Sequence, residues 1–208
     1  AIIIQHLKIA ILTTQTIKNY QFAINAFIKY IQKEKPDLQE IDKTNIKRII
    51  KDYKAEVKYL KDWIVGYFCR NGNADTMAVI GISGGKDSTV VAYLCAAALG
   101  KERVVGIKMP NGKQHDIDYA DAVIRNLGIM DYQINIKSMC DAFYNEIYTV
   151  LDKDGELSAP QIKSIEYNLP PRMRMATLYA VAGAIGGFVA NTSNLSERYI
   201  GWSTKWGD

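Results

Sequence analysis

The sequence predicts an α/β fold in which helices flank a parallel sheet, preceded by a helical extension. Two observations support this prediction. From Met77 onward, short apolar segments alternate with helical segments of roughly 10–15 residues, which is typical of parallel strands joined by helical crossovers. Upstream, apolar residues recur at the three- and four-residue steps of a helix. We therefore predict two parts, a helical extension over 1–51 and an α/β domain over 52–208.

The composition is that of a globular protein without a membrane span. Of 208 residues, 48% are hydrophobic and 23% are charged, and no run of about eighteen apolar residues occurs. The apolar start is interrupted by His6 and Lys8 and lacks the features of a signal peptide. The three cysteines have no metal-type spacing, so we expect buried thiols in a cytoplasmic protein: Cys69, Cys95 and Cys140.

The charge is unevenly distributed along the chain. Residues 1–62 contain 12 Lys or Arg and 7 Asp or Glu (+5), whereas residues 63–208 contain 14 and 15 (−1). A basic amino-terminal third can bind nucleic acid, although a solvated helical surface is the simpler explanation of this charge. Nucleic acid is therefore a possible partner only through the extension.

The sequence before the first strand, which includes the extension, should contain three helices. The first has one apolar stripe from Ile17 to Ile31 and ends before Pro36, and the second is a short helix over 46–50. The third runs from about Asp52 to Arg70 and ends at Asn71-Gly72-Asn73, whose residues tolerate left-handed backbone geometry.

The α/β part should contain four strands and four helices in alternation. The apolar runs predict strands over 77–82, 104–109, 132–136 and 188–190. The intervening segments predict helices over 88–99, 116–126, 139–151 and 171–184, and glycines follow the first, second and fourth of them.

The segment Ser83-Gly84-Gly85-Lys86-Asp87-Ser88 is the strongest functional signal. It lies between a predicted strand, which includes Gly81, and a predicted helix. Its glycines allow a tight turn, and the following helix presents free amides and the positive end of its dipole. Such a loop binds phosphate or pyrophosphate. It is not a Walker A loop, because the Gly-x4-Gly-Lys-Ser/Thr spacing is absent.

This segment resembles the Ser-Gly-Gly-x-Asp-Ser motif of the ATP pyrophosphatases. The resemblance implies a Rossmann-like sheet of the adenine nucleotide α-hydrolase type. It also implies cleavage of ATP between its α and β phosphates to give an adenylated intermediate, which a nitrogen or sulfur nucleophile then attacks.

Three further segments make residues 53–208 similar to the ammonia-dependent NAD synthetases. They are Lys108-Met109-Pro110-Asn111-Gly112-Lys113-Gln114, Asn168 to Met175, and Asn191 to Asp208 with its Ser196-Glu197 and Gly201…Asp208 strings. The implied reaction joins ATP, nicotinic acid adenine dinucleotide and ammonia through an acyl-adenylate. Its products are NAD, AMP and pyrophosphate. Free ammonia is implied because no glutaminase domain precedes the core.

The resemblance also implies site residues, carried over position by position. Mg²⁺ would be held by Asp87 and Glu197, and catalytic roles fall to Asp87 and Lys205. Contacts to ATP are implied for Gly81, Ser83, Gly84, Gly85, Lys86, Asp87, Ser88, Lys108, Gln114 and Thr192. Contacts to the dinucleotide are implied for Arg172, Arg174, Tyr179, Lys205 and Asp208. Arg172 and Arg174 are two residues apart on a helix, so we expect only one of them to reach a ligand.

The match to the family ends at Asp208, where the family continues, so we expect a C-terminally truncated member. The family also implies a homodimer. Two alternatives remain: another adenylating enzyme of the ATP-pyrophosphatase type, or a non-catalytic nucleotide-binding fragment fused to a basic helical module. Residues 1–50 only weakly resemble the core-binding helical domain of integrases.

Overall fold

The structure is a computed structural model that describes residues 53–114, 117–153, 155–193 and 203–207. The chain divides into two units, 1–56 and Val57–Asp208, and the second contains the sheet. The helices predicted before Asp52, and with them the helical extension, lie outside the described residues. Within the described ranges, no helix has the length and apolar character needed to cross a membrane.

The described part of the chain contains five α-helices and four strands in the order that follows. They are α1 (Tyr53–Asn71), β1 (Met77–Gly81), α2 (Lys86–Leu99), β2 (Val104–Lys108), α3 (Ile117–Leu127), β3 (Met130–Gln133), α4 (Lys137–Leu151), α5 (Ala159–Ile185) and β4 (Gly187–Val189).

The four strands form one sheet in the order β3-β2-β1-β4, and every neighbouring pair is parallel. Ala78 of β1 is opposite Val104 on one side and Phe188 on the other. The predicted parallel α/β fold is therefore confirmed. Strands β2 and β3 lie on one side of β1 and β4 on the other, so the strand order reverses next to β1. Ligands of such sheets bind outside the carboxyl ends of the strands at this reversal.

Helices cover both faces of the sheet. Ala78 and Ile80 of β1 point into one core, which also contains Phe68 of α1 and side chains of α2 and α3. Val79 points into the opposite core, together with Cys140 of α4 and side chains of α5. The central strands β1 and β2 are consequently apolar apart from Lys108 at the end of β2, as parallel strands buried on both faces require.

Helix α5 differs most from the prediction. Its predicted start at Pro171 was wrong, because the helix begins at Ala159 and passes through both prolines. Pro170 has no amide to donate to the carbonyl of Glu166, which would normally weaken the helix. The hydroxyl of Tyr144 in α4 donates to this carbonyl at 3.1 Å. A contact from another helix thus replaces the lost hydrogen bond.

The remaining differences lie mostly at element ends. The third strand was predicted over 132–136, but β3 spans Met130–Gln133. The predicted residues still pair irregularly with the neighbouring segment, since the amides of Ile134 and Ile136 donate to the carbonyls of Lys108 and Pro110. The other strands and helices differ from prediction by one or two residues, which is the ordinary uncertainty of element ends.

The cysteines do not all have the predicted environment. Cys95 and Cys140 are buried, but the prediction of a buried Cys69 was wrong, because this thiol is exposed. Phe68, its neighbour in α1, occupies the inward position instead. Burial raises the pKa of the Cys95 thiol to about 11, and burial also raises that of Cys140.

We expect iodoacetamide to separate the three thiols at a pH of about 8. The thiolate is the reactive form, so the exposed Cys69 should be alkylated while Cys95 and Cys140 remain unmodified in the folded chain. Peptide mass spectrometry measures the three sites, and the urea-unfolded chain, in which all three should react, is the control. Alkylation of Cys95 as fast as Cys69 in the folded chain would contradict the described packing.

Candidate active site

A cavity of about 430 Å³ opens at the carboxyl ends of the strands. Gly81 at the end of β1 and the next two residues, Ile82 and Ser83, line one side of it, and Ala190 to Thr192 follow β4 on the other. Met109 and Gln114 come from the segment after β2, and residues of α5 close another side. The cavity therefore lies where the strand order reverses, which is the expected ligand position in this type of sheet.

Hydrogen bonds between its own residues hold the loop from Ser83 to Ser88. The Ser88 hydroxyl lies 3.1 Å from the Ser83 hydroxyl, accepts from the Ser83 amide at 3.3 Å and donates to the Gly85 carbonyl at 3.2 Å. Ser88 is buried. Its hydroxyl therefore maintains the shape of the loop, whereas Ser83 is exposed and lines the cavity.

Gly84 brings the loop against α3. Its φ is +79°, and a Cβ at this position would lie 2.7 Å from Cβ of Tyr119 and 2.8 Å from the amide nitrogen of Ala120. Both the backbone conformation and the lack of space favour glycine here. The position of the loop consequently depends on the position of α3.

The loop leads into the N-terminus of α2, for which Gly85 is the capping residue. The amides of Asp87 and Ser88 have no i−4 carbonyl within the helix to which they can donate, as in the first turn of any helix. Asp87 lies in this first turn, and its carboxylate accepts a 2.6 Å hydrogen bond from Lys86 Nζ. Both side chains of the pair are substantially exposed to solvent.

Lys108 lies at the end of β2 with its ammonium between two carboxylates. Its Nζ is 2.6 Å from Oδ1 of Asp121 in α3 and 3.0 Å from Oδ2 of Asp131 in β3. The hydrogen bond to Asp121 raises the pKa of this ammonium, which is 12% exposed. Lys108 is not among the residues that line the cavity. Its predicted contact with ATP stays a prediction.

The two arginines of α5 have different neighbours. Arg174 lines the cavity, and its Nε donates to the carbonyl of Met109 at 3.2 Å. Burial lowers the pKa of this guanidinium, which nevertheless keeps its charge at neutral pH. Arg172 is exposed, and its Nε donates to the carbonyl of Lys205 at 3.2 Å. Arg174 is thus the one placed to meet a ligand in this cavity.

The segment from Ser203 to Gly207 packs along α5 and completes the cavity wall. Thr204 donates to the side-chain oxygen of Asn168 at 3.1 Å, and Arg172 holds the Lys205 carbonyl. Gly207 lines the cavity, and a Cβ there would lie 2.8 Å from Cβ of Pro171. The Lys205 ammonium lies 5.5 Å from the Trp206 ring centroid, outside the cavity lining.

The cavity brings together some of the predicted residues. Those in its lining are Gly81, Ser83, Gln114, Arg174, Tyr179 and Thr192. Others are described outside the lining: Gly84, Gly85, Lys86, Asp87, Ser88, Lys108, Arg172 and Lys205. Glu197 and Asp208 lie outside the described residues. The ligand contacts of all these residues stay predictions.

Most of the apolar residues that line the cavity were not predicted from the sequence. Ile82, Met175, Leu178 and Val189 face the cavity, although their positions in the sequence resemble those of core residues. The available signal was the spacing of Met175 and Leu178, which is that of one helix face beside Arg174 and Tyr179. Small-molecule sites are largely apolar, so these side chains are part of a normal binding surface.

Comparison with known proteins identifies relatives of this sequence. The model of the NAD synthase family matches residues 56–208. The NH3-dependent NAD+ synthetase of Pyrococcus furiosus is 43% identical over 136 residues, which cover 65% of this chain and 49% of that relative. The chain thus spans about half the length of the curated relatives it matches.

Solved structures with the same fold lead to the same family. An NH3-dependent NAD synthetase from Campylobacter jejuni is 30% identical with a TM-score of 0.62, covering 75% of this chain and 63% of that one. A structure named NMN synthetase from Francisella tularensis is also 30% identical, with a TM-score of 0.61 and coverages of 74% and 60%. Since the family model accounts for well over half of the residues, the Ser83–Ser88 loop among them, the chain belongs to the NAD synthase family.

Proposed function

We propose that this protein uses ATP, Mg²⁺ and ammonia to convert nicotinic acid adenine dinucleotide to NAD. The observation that carries the proposal is the position of the Ser83–Ser88 loop. In a chain of this family, that loop borders a cavity of about 430 Å³ where the strand order reverses. Substrates named for the relatives thereby become candidate ligands of this cavity.

The proposed reaction has two steps. An oxygen of the nicotinate carboxylate attacks the α-phosphorus of ATP, the bond to the bridging oxygen breaks, and pyrophosphate leaves. Ammonia then attacks the carbonyl carbon of the acyl-adenylate, AMP leaves, and the nitrogen loses a proton to give the amide. Adenylation is needed because a free carboxylate has no good leaving group.

The loop and α2 would bind the phosphates. The amides of Asp87 and Ser88 in the first turn of α2 and the positive end of its dipole favour phosphate oxygens at this point. The Ser83 hydroxyl lies at the same edge of the cavity, and Ser88 keeps the loop in the required shape. The guanidinium of Arg174 adds a fixed positive charge to the cavity wall, which favours anionic ligands.

Asp87 is suited to be one ligand of Mg²⁺. Its carboxylate lies in the first turn of α2, next to the loop, and hard oxygen ligands together with substrate phosphates are what this ion prefers. The partner proposed for it is Glu197, which is outside the described residues. Within the described ranges, no group of three potential ligands is present, consistent with a site completed by substrate oxygens. Bound Mg²⁺ would neutralise charge on the phosphates as pyrophosphate leaves.

The other polar residues of the cavity are proposed to orient the two nucleotides. Gln114 and Thr192 would contact ATP, since they lie on the segments that follow β2 and β4. Tyr179 would contact the dinucleotide, with Lys205 and Asp208 contributing from the C-terminal segment. We further propose that the protein acts as a cytoplasmic homodimer. Any nucleic-acid binding by the extension concerns residues outside the described ranges.

The function is tested by incubating the chain with ATP, Mg²⁺, ammonium and nicotinic acid adenine dinucleotide. We expect NAD and AMP in equal amounts by chromatography, and no NAD when ammonium is omitted. Exchange of labelled pyrophosphate into ATP should persist without ammonium, because the adenylation step does not need it. Exchange of pyrophosphate without formation of NAD would mean that the chain catalyses only the adenylation step. Failure of both reactions would overturn the proposal.

One observation favours a second acceptor, nicotinic acid mononucleotide. The structure named NMN synthetase is as similar in sequence to this chain as the NAD synthetase from Campylobacter jejuni, at 30% identity. The same assay with the mononucleotide in place of the dinucleotide distinguishes the two acceptors. Turnover of the mononucleotide without turnover of the dinucleotide would show that the mononucleotide is the substrate. If neither nucleotide supports exchange of labelled pyrophosphate into ATP, but tRNA does, the result would favour another adenylating enzyme of the ATP-pyrophosphatase type.

A further inference from the structure

Lys108 joins three elements at the edge of the cavity without lining it. Its side chain comes from the end of β2, and its ammonium contacts carboxylates of α3 and β3 at 2.6 and 3.0 Å. With 12% of the side chain exposed and two carboxylates beside it, this ammonium is already engaged when no nucleotide is present. A direct contact with ATP would require it to leave at least one of them.

The contact with Asp121 connects Lys108 to the Ser83–Ser88 loop, which we call the phosphate loop after its proposed role. Asp121 immediately follows Tyr119 and Ala120 in α3, and these are the two residues against which Gly84 packs. A Cβ on Gly84 would lie within 3.0 Å of both, so no free space separates the loop from the helix. A shift of α3 relative to β2 would therefore move the loop or leave it without support.

We propose that Lys108 is a positioning residue that acts on the phosphate loop through Asp121 and α3. The inference rests on the proposed binding of ATP at this loop and adds a role for a residue outside the cavity. Asp131 contacts the same ammonium, but it lies in β3, which has no described contact with the loop. Replacing Asp131 is therefore the matched control for replacing Asp121.

The test measures binding of ATP and of adenosine to the full chain by calorimetry in four variants: Lys108→Met, Asp121→Ala, the double variant, and Asp131→Ala. We expect Lys108→Met and Asp121→Ala each to weaken ATP binding about tenfold, since residues in one network are strongly coupled. The double variant should be no weaker than the worse single variant. Asp131→Ala should stay within about twofold of the parent, because β3 does not support the loop.

Adenosine distinguishes positioning from a general loss of structure. It has no phosphates, so its affinity should be unchanged in every variant that keeps a parental unfolding temperature. Equal losses of ATP and adenosine affinity would overturn the inference. A loss of ATP affinity in Lys108→Met that Asp121→Ala does not share would also overturn it in favour of direct contact between Lys108 and ATP. If the parent chain itself binds no ATP, the proposed function is wrong. If the parent binds ATP but the variants behave otherwise than expected, only the inference about Lys108 is wrong.

Discussion

Replacing Gly84 by alanine is expected to remove ATP binding and to destabilise the fold by about 2–5 kcal/mol. The left-handed backbone conformation alone costs a residue with a side chain about 1–2 kcal/mol. The added methyl would also lie 2.7 Å from Cβ of Tyr119 and 2.8 Å from a backbone nitrogen, and overpacking of this kind costs about 1–3 kcal/mol. Urea unfolding measures the stability, and calorimetric titration measures the affinity for ATP.

Gly155 provides the matched control for this substitution. Its φ is +72°, close to the +79° of Gly84, but nothing lies within 4 Å of the position that its Cβ would occupy. Gly155→Ala should therefore lose only the conformational contribution, about 1–2 kcal/mol, and should bind ATP like the parent. Equal effects of the two substitutions would mean that contact with α3 does not constrain the loop.

Replacing Asp87 by alanine should abolish the dependence of ATP binding on Mg²⁺. Loss of a group that only supports a metal ligand reduces metal affinity by about 10–100-fold, so loss of a ligand should reduce it by more than about 100-fold. The experiment compares the dissociation constant of ATP in Mg²⁺ and in EDTA for each chain. In the variant the two constants should be nearly equal, whereas the parent should bind more tightly in Mg²⁺.

Asp75→Ala is the control for charge. Asp75 is an exposed aspartate that precedes the amino end of β1, so it lies at the opposite edge of the sheet from the cavity. Its removal changes the net charge by the same amount and should leave the Mg²⁺ dependence intact. A parental Mg²⁺ dependence in Asp87→Ala would remove this carboxylate from the proposed metal site.

The parallel sheet was predictable because its signals are local. Each central strand is a short apolar run, and the residues from Gly81 to Ser88 define the strand, the loop and the helix start within one continuous segment. The start of α5 was not predictable in this way. Two consecutive prolines normally indicate the first turn of a helix, whereas here the hydroxyl of Tyr144, more than twenty residues earlier, donates to the Glu166 carbonyl that Pro170 leaves without an amide partner.

The parts of the candidate site that local sequence motifs define were also predictable, whereas its contacts between distant segments were not. Motifs identify the loop and polar residues such as Gln114 and Arg174, because their chemistry is evident from residue type and spacing. The contact of Gly84 with α3 and the pairing of Lys108 with two carboxylates join segments distant in the sequence. No local pattern encodes such contacts, so the position of α3 behind the loop emerges only from the folded chain.

Strands β1 and β4 are neighbours in the sheet, yet almost the whole described domain separates them along the chain. During synthesis, the Ser83–Ser88 loop leaves the ribosome before the cavity wall that follows β4. Under the proposed function, nucleotide would stabilise only species that possess both walls, because a ligand favours the state that binds it. ATP would thus stabilise chains that already contain β4 and would not stabilise shorter precursors, whose exposed apolar surface makes them prone to aggregate.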